Sequence, residues 1–201
     1  MSRQGAEPAV SDSPAVRWPP LVPAMVTGLR ILAAFRVGAA AYYGIVPLAL
    51  FWIVLGAAAT DYLDGWTARR LHRSSFEGKV LDFVADKLFL SVTLLVMARA
   101  GWVDTLTAAA LSGYHLLVLA ATTVVSWGVG KPLVVIPTSE KLVVILSFVL
   151  AGSAAGSAAL PGKAVYSTIA GTAEFLALAS ILFGAAGYLR LIRRLLARYR
   201  R

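Results

Sequence analysis

Six stretches of about 20 residues with few charges run through this 201-residue chain. At about 1.5 Å of rise per residue, a helix of that length crosses the ~30 Å hydrocarbon core of a bilayer. The runs are Ala24–Tyr43, Ile45–Thr67, Gly78–Ala100, Val103–Val129, Ser139–Leu160 and Val165–Tyr188. Gly44 with Pro47, Gly101, Gly130 with Pro132 and Pro137, and Pro161 with Gly162 punctuate them. The chain is 59% hydrophobic and 14% charged, against about 45–50% and 25% for soluble domains, and a chain this short has no soluble use for the excess. The expected fold class is therefore an all-α integral membrane protein with six transmembrane helices. Short alternating segments of the kind that build a membrane β-barrel are not seen.

Positive residues orient the spans. One side collects Arg3, Arg17, Arg69, Arg70, Arg73, Lys79, Lys131, Lys141 and the cluster Arg190, Arg193, Arg194, Arg198, Arg200 and Arg201. The other side holds Arg99 and Lys163. Both termini are expected to be cytoplasmic, which an even number of spans satisfies. The net charge of +9 sits beside apolar runs, so anionic lipid headgroups, not nucleic acid, are the expected partner. The chain does not open with a basic start followed by an apolar core, so no cleavable leader is expected. Residues 1–20, polar and rich in Pro, Ala and Ser, are expected to form a flexible cytoplasmic tail, 21–190 a six-span membrane domain, and 191–201 a basic juxtamembrane tail resting on headgroups. Cysteine is absent, which excludes disulfides and thiolate metal sites.

Five of the ten acidic residues, Asp61, Asp64, Glu77, Asp82 and Asp86, fall within 26 positions at the junction of the second and third spans. Asp61 and Asp64 are spaced i, i+3, and Asp82 and Asp86 i, i+4, so each pair shares a helix face. The two spans are consecutive and antiparallel, which lets the four carboxylates converge. A charged residue inside a span costs about 2.5–3.5 kcal/mol on insertion scales, and four clustered carboxylates repel one another. Divalent cations relieve both problems, and Mg²⁺ or Mn²⁺ with oxygen ligands suits four carboxylates, with room for two ions. Small residues, Gly65, Ala68 and Gly78, would let a bulky ligand approach the backbone, and Arg69 is placed to meet a phosphate or a carboxylate. The alternative, interfacial pairing of the acids with Arg69, Arg70, Arg73, Lys79 and Lys87, suits a lone carboxylate better than four at this spacing.

Asp61-Tyr-Leu-Asp64-Gly65-Trp-Thr-Ala68-Arg69, followed after eight residues by Gly78-Lys-Val-Leu-Asp82-Phe-Val-Ala-Asp86, resembles the signature of the CDP-alcohol phosphatidyltransferase family, D-x2-D-G-x2-A-R-x8-G-x3-D-x3-D. All eight fixed positions agree; at about one in ten per letter, chance agreement is on the order of 10⁻⁸ per start position. The resemblance implies a bacterial inner- or plasma-membrane enzyme of phospholipid synthesis with its site on the cytoplasmic face. An alcohol hydroxyl would attack the β-phosphorus of a CDP-linked lipid, usually CDP-diacylglycerol, and release CMP. It further implies that Asp61, Asp64 and Asp82 hold metal, and that Asp86 is the general base and also touches a metal. Gly65, Ala68, Arg69 and Gly78 would shape the CDP pocket, and the active form would be a homodimer.

Relatives often begin their first span with P-N-x-L-T-x-x-R. Here Pro23, Thr27 and Arg30 match and Ala24 replaces Asn. Thr27 and Arg30 share a face and are expected at the nucleotide or phosphate, unless Arg30 only snorkels to the interface. Lys141 stands where relatives acting on glycerol phosphates carry S/G-K-x-K/N-T, with Val143 at the second polar position; it either binds an acceptor phosphate or anchors the helix. Arg36 and Glu174 lie inside spans and either pair together or, for Arg36, face the acceptor. His115 is expected to be a hydrogen-bonded bundle residue and lone His72 not to be a ligand. The acceptor expected is glycerol 3-phosphate or phosphatidylglycerol. Inositol phosphate is the enzymatic rival, disfavoured because Ser139–Leu160 contains no Arg. A small cation carrier is the rival of another class, disfavoured because the four Asp sit at one membrane edge.

Overall fold

The computed structural model describes residues 21–44, 46–71, 76–129 and 137–199, with the side chains at 21–26, 42, 61–71, 76–79, 126–129 and 195–199 left outside the description. The predicted tail over 1–20, His72 and Lys131 lie outside the described residues. The rest is all-helical: α1 (Leu21–Tyr43), α2 (Pro47–Leu71), α3 (Phe76–Arg99), α4 (Thr105–Val129), α5 (Thr138–Ala159) and α6 (Ala164–Tyr199). Each helix coincides with an apolar run to within a few residues at either end, except the last.

The punctuation seen in the sequence acts through identifiable local geometry. Gly44, Gly101 and Gly162 follow α1, α3 and α5 with φ of 100°, 73° and 95°. Only glycine adopts that conformation without a Cβ penalty. At the end of α3, Trp102 N–H reaches Met97 C=O at 2.9 Å and Gly101 N–H reaches Ala98 C=O at 3.0 Å. This is the paired closure of a Schellman motif, which satisfies carbonyls the helix leaves open. Asp104 then caps α4, accepting from the N–H groups of Leu106 at 2.8 Å and Thr107 at 3.1 Å.

The exception is α6, whose 36 residues continue eleven positions beyond the expected end at Tyr188. Nothing between Leu189 and Tyr199 breaks a helix, and the Leu/Arg alternation there is compatible with one. At about 1.5 Å per residue it is roughly 54 Å long, so it outlasts a ~30 Å hydrocarbon layer.

α3 lies centrally, against α1, α4 and α5, while α5 packs most extensively on α6 and also on α2. Phe89, Leu90, Leu94 and Met97 of α3 are fully buried against Leu111 of α4 and Ala151, Ala154 and Ala155 of α5. Many large apolar side chains also face outward. Leu29, Phe35, Trp52, Leu106, Phe175, Leu182 and Phe183 are each at least 60% exposed. Continuous apolar surface of this kind is a liability in water and what lipid requires. Among the described residues, Thr105–Val125, Thr138–Ala159 and Ala164–Arg194 are long and apolar enough to cross a membrane, and α2 adds the shorter apolar stretch Pro47–Thr60. The chain is thus an α-helical membrane protein in which α4–α6 form the more apolar half. The acidic cluster lies on α2 and α3.

The α5–α6 contact depends on missing side chains, Gly156 on α5 among them. A Cβ at Gly156 would lie 2.7 Å from Cδ1 of Tyr166. Gly113, by contrast, has nothing within 4 Å of its Cβ position. Gly156→Ala should destabilise the purified protein by about 1–3 kcal/mol, read as a lowered midpoint in thermal unfolding in detergent. Gly113→Ala should be neutral or stabilising by up to about 1 kcal/mol. Equal behaviour of the two would contradict this packing.

Candidate active site

Asp82 and Asp86 stand one turn apart on α3, and both carboxylates turn towards α1. Their Oδ1 atoms converge on a single nitrogen, Nη1 of Arg30, which donates to Asp82 and, at 2.7 Å, to Asp86. The i, i+4 spacing therefore brings the two acids onto one point, as the sequence predicts. Arg30 is buried, with a side-chain exposure of 1%, whereas Asp82 and Asp86 keep 31% and 13%. The two carboxylates thus keep some exposed surface while the guanidinium keeps almost none.

The other edge of the guanidinium faces α2. Arg30 Nη2 donates to Thr60 Oγ1 at 3.5 Å, and the Thr60 hydroxyl donates to Ala57 C=O at 2.8 Å. One planar fork thereby joins α1, α2 and α3, an arrangement that a lysine ammonium would not reproduce. Thr60 was not singled out from sequence; its signal is its place immediately before Asp61. Thr27, one turn before Arg30, is also buried, at 2% exposure.

α2 carries Asp61, Asp64, Gly65, Ala68 and Arg69 on its last turns, and α3 carries Gly78 in its first. The side chains at these positions lie outside the described residues. Among the described residues no group of three or more metal-ligating side chains is assembled. Asp82 and Asp86 do offer the start of one: two hard carboxylate oxygens meeting at a point already held by a cation. Among the described residues one guanidinium meets two carboxylates, and an oxygen donor set of this kind fits Mg²⁺ or Mn²⁺.

The remaining candidates separate. Lys141 is exposed at the start of α5. Arg36 is exposed on α1 and Glu174 is half-buried on α6, with its Oε1 atom enclosed. Among the described residues no ion pair joins them, so the suggested Arg36–Glu174 pair is not formed. Lys87, weighed as a counter-charge for the acids, instead reaches Glu140 of α5. Residues i and i+1 on a helix do not share a face, so Asp86 and Lys87 point to different neighbours. His115 is a hydrogen-bonded bundle residue, as expected, touching Lys87 and Ser147. Glu140 is a buried carboxylate that sequence reasoning passed over in favour of its neighbour Lys141. Its signal was an acid in the first turn of an otherwise apolar helix.

Known proteins resemble parts of this chain. A 67-residue stretch is 46% identical to the CDP-diacylglycerol–glycerol-3-phosphate 3-phosphatidyltransferase of Pseudomonas fluorescens, covering 32% of this chain and 34% of that protein. The enzyme of the same name from Pectobacterium atrosepticum is 37% identical over 76 residues, 37% of this chain and 42% of its own length. A chloroplastic/mitochondrial enzyme of that name from Arabidopsis thaliana is 47% identical over 45 residues, 22% of this chain and 15% of its own. In each case the match spans less than half the length of the relative. The sequence profile of the CDP-alcohol phosphatidyltransferases, by contrast, matches residues 20–192, across all six helices and the junction that carries the acids. With a match of that extent, the chain belongs to the CDP-alcohol phosphatidyltransferase family.

Proposed function

We propose that this protein transfers a phosphatidyl group from CDP-diacylglycerol to glycerol 3-phosphate and releases CMP. The observation that carries the reading is the convergence of Asp82 and Asp86 on Arg30, within a chain of this family. The choice of glycerol 3-phosphate over phosphatidylglycerol or inositol phosphate rests on the names of the relatives.

In this reading Asp61, Asp64 and Asp82, with Asp86 at the edge, hold one or two Mg²⁺ or Mn²⁺ ions. The bound ions would neutralise the pyrophosphate oxygens and the charge that develops on departing CMP. Asp86 takes the proton of the acceptor hydroxyl, whose oxygen forms a bond to the β-phosphorus as the bond to the CMP oxygen breaks. Arg30 keeps Asp82 and Asp86 oriented, and Thr60 keeps Arg30 in plane. Gly65, Ala68, Arg69 and Gly78, with Thr27, line the CDP end. Lys141 is a cation at the open start of α5, suited to the phosphate of the acceptor.

The placement in the bilayer follows the positive-inside pattern. All six helices span, residues 21–190 form the catalytic unit, and both termini and the site face the cytoplasm. The arginine-rich end of α6 lies against anionic headgroups, and two copies associate as a homodimer, as the family resemblance implies.

Purified protein in mixed micelles with Mn²⁺ or Mg²⁺, CDP-diacylglycerol and glycerol 3-phosphate should release CMP, and a chelator should stop it. Silence with glycerol 3-phosphate, phosphatidylglycerol, inositol phosphate and serine alike would sink the reading. Asp86→Asn should lower turnover by about 10²–10⁴-fold while the protein stays folded, as loss of a general base requires. Retained turnover would remove Asp86 from that role. Arg30→Met takes a buried guanidinium away from two carboxylates and should cost about 3–5 kcal/mol of stability in the metal-free protein, read by unfolding in detergent. An unchanged midpoint would show that Arg30 does not balance them.

A further inference from the structure

Away from the carboxylate site, the helices enclose a second group of polar side chains. Lys87 of α3, Tyr114 and His115 of α4, and Glu140 and Ser147 of α5 are each less than a tenth exposed. The Lys87 ammonium pairs with Glu140 and donates to His115 Nδ1 at 3.3 Å. The Tyr114 hydroxyl donates to the other oxygen of Glu140. Ser147 donates to Val143 C=O at 2.8 Å, so it accepts from His115 Nε2 at 3.1 Å. One proton assignment satisfies all of these contacts: His115 carries its proton on Nε2 and offers the Nδ1 lone pair to Lys87. The Lys87 ammonium also lies 5.3 Å from the centre of the Phe83 ring.

α6 closes over this node. A Cβ at Gly184 would collide with the Tyr114 hydroxyl and lie 2.9 Å from Cγ2 of Val143. The glycine leaves the space in which Tyr114 reaches Glu140.

Stability alone does not account for charges in such a place. Burying ions in a membrane bundle is costly, and well-packed apolar replacements of a buried ion pair are often neutral or stabilising. Direction is what a polar node adds. α3 and α5 touch less extensively than α3 and α4 do, and otherwise meet through apolar contacts such as the stacked Phe89 and Phe148 rings, 6.1 Å apart. Apolar faces tolerate sliding, whereas five groups with fixed donors and acceptors fit together in one register.

That register links two functional ends. Lys87 follows Asp86 directly, and Glu140 directly precedes Lys141. We infer that the Lys87–Glu140–Tyr114–His115 node is a positioning element that fixes α3 axially against α5, and so sets Asp86 relative to the acceptor end of α5. This inference rests on the phosphatidyltransferase reading above. None of the node residues touches substrate; they act through Asp86 and Lys141.

The absence of cysteine makes the test clean. Nitroxide labels at Leu88→Cys on α3 and Leu142→Cys on α5, both outward-facing at 39% and 46% exposure, report the axial relation of the two helices in lipid nanodiscs. The full-length variant Lys87→Met/Glu140→Leu should fold, give a broadened or shifted label distance, and lose roughly 10–100-fold in kcat, with the KM for CDP-diacylglycerol little changed. Tyr114→Phe removes one hydroxyl, leaves the ion pair, and should show the same pattern more weakly. Wild-type kcat together with an unchanged distance in the double variant would overturn the inference. Should the double variant not assemble, Tyr114→Phe decides by the same two readouts, and no change in either overturns it. Should the wild-type protein release no CMP, the functional reading fails by itself. The label distance then still tests the node: broadening in a variant supports it, and an unchanged distance overturns it.

Discussion

A charge carried into a membrane bundle has to find its counter-charge there, because hydrocarbon offers none. In this chain that constraint falls chiefly on α3. Asp82 and Asp86 find Arg30 on one side of the helix, and Lys87 finds Glu140 on another. Further along α3, Phe89, Leu90, Leu94 and Met97 are buried in the apolar core. The helix is polar for its first half and greasy for its second, and its neighbours follow suit. α1 supplies the arginine, α5 the glutamate, and α4 the tyrosine and histidine that complete the second pair.

The two ion pairs differ in kind. The Arg30 cluster keeps partial exposure on Asp82 and Asp86, at 31% and 13%. The Lys87 cluster is closed, balanced in charge and fully enclosed. A partly exposed acid pair beside a closed, neutral one is a sensible division between a site that must exchange ligands and a node that must not.

Much of this was legible in the sequence for physical reasons. Helix positions follow from run lengths and from glycines that only a left-handed turn requires, as at Gly44, Gly101 and Gly162. The shared face of Asp82 and Asp86 follows from helical periodicity. The partner of that face does not follow from spacing: the first-span pattern points Thr27 and Arg30 to nucleotide or phosphate, and in the structure Arg30 also meets carboxylates 52 and 56 positions away. Pairing across helices depends on which faces pack together, and spacing within one helix carries no information about that. The same limit hid Glu140, whose partners lie on α3 and α4. Helix α6 ran past its expected end because apolar content stops at Tyr188 while helix propensity does not. The roles of Asp61 and Asp64 still rest on the motif, since their side chains lie outside the described residues.

The proposed chemistry requires the acids at the α2–α3 junction to hold divalent cations. Equilibrium binding of Mn²⁺ to the purified protein, followed by the loss of the free-ion paramagnetic resonance signal, addresses this without any substrate. Saturable binding that weakens by about tenfold or more in Asp82→Asn, and again in Asp61→Asn, is the predicted result. Binding by the Asp61→Asn/Asp64→Asn/Asp82→Asn/Asp86→Asn variant equal to that of the unaltered protein would contradict it.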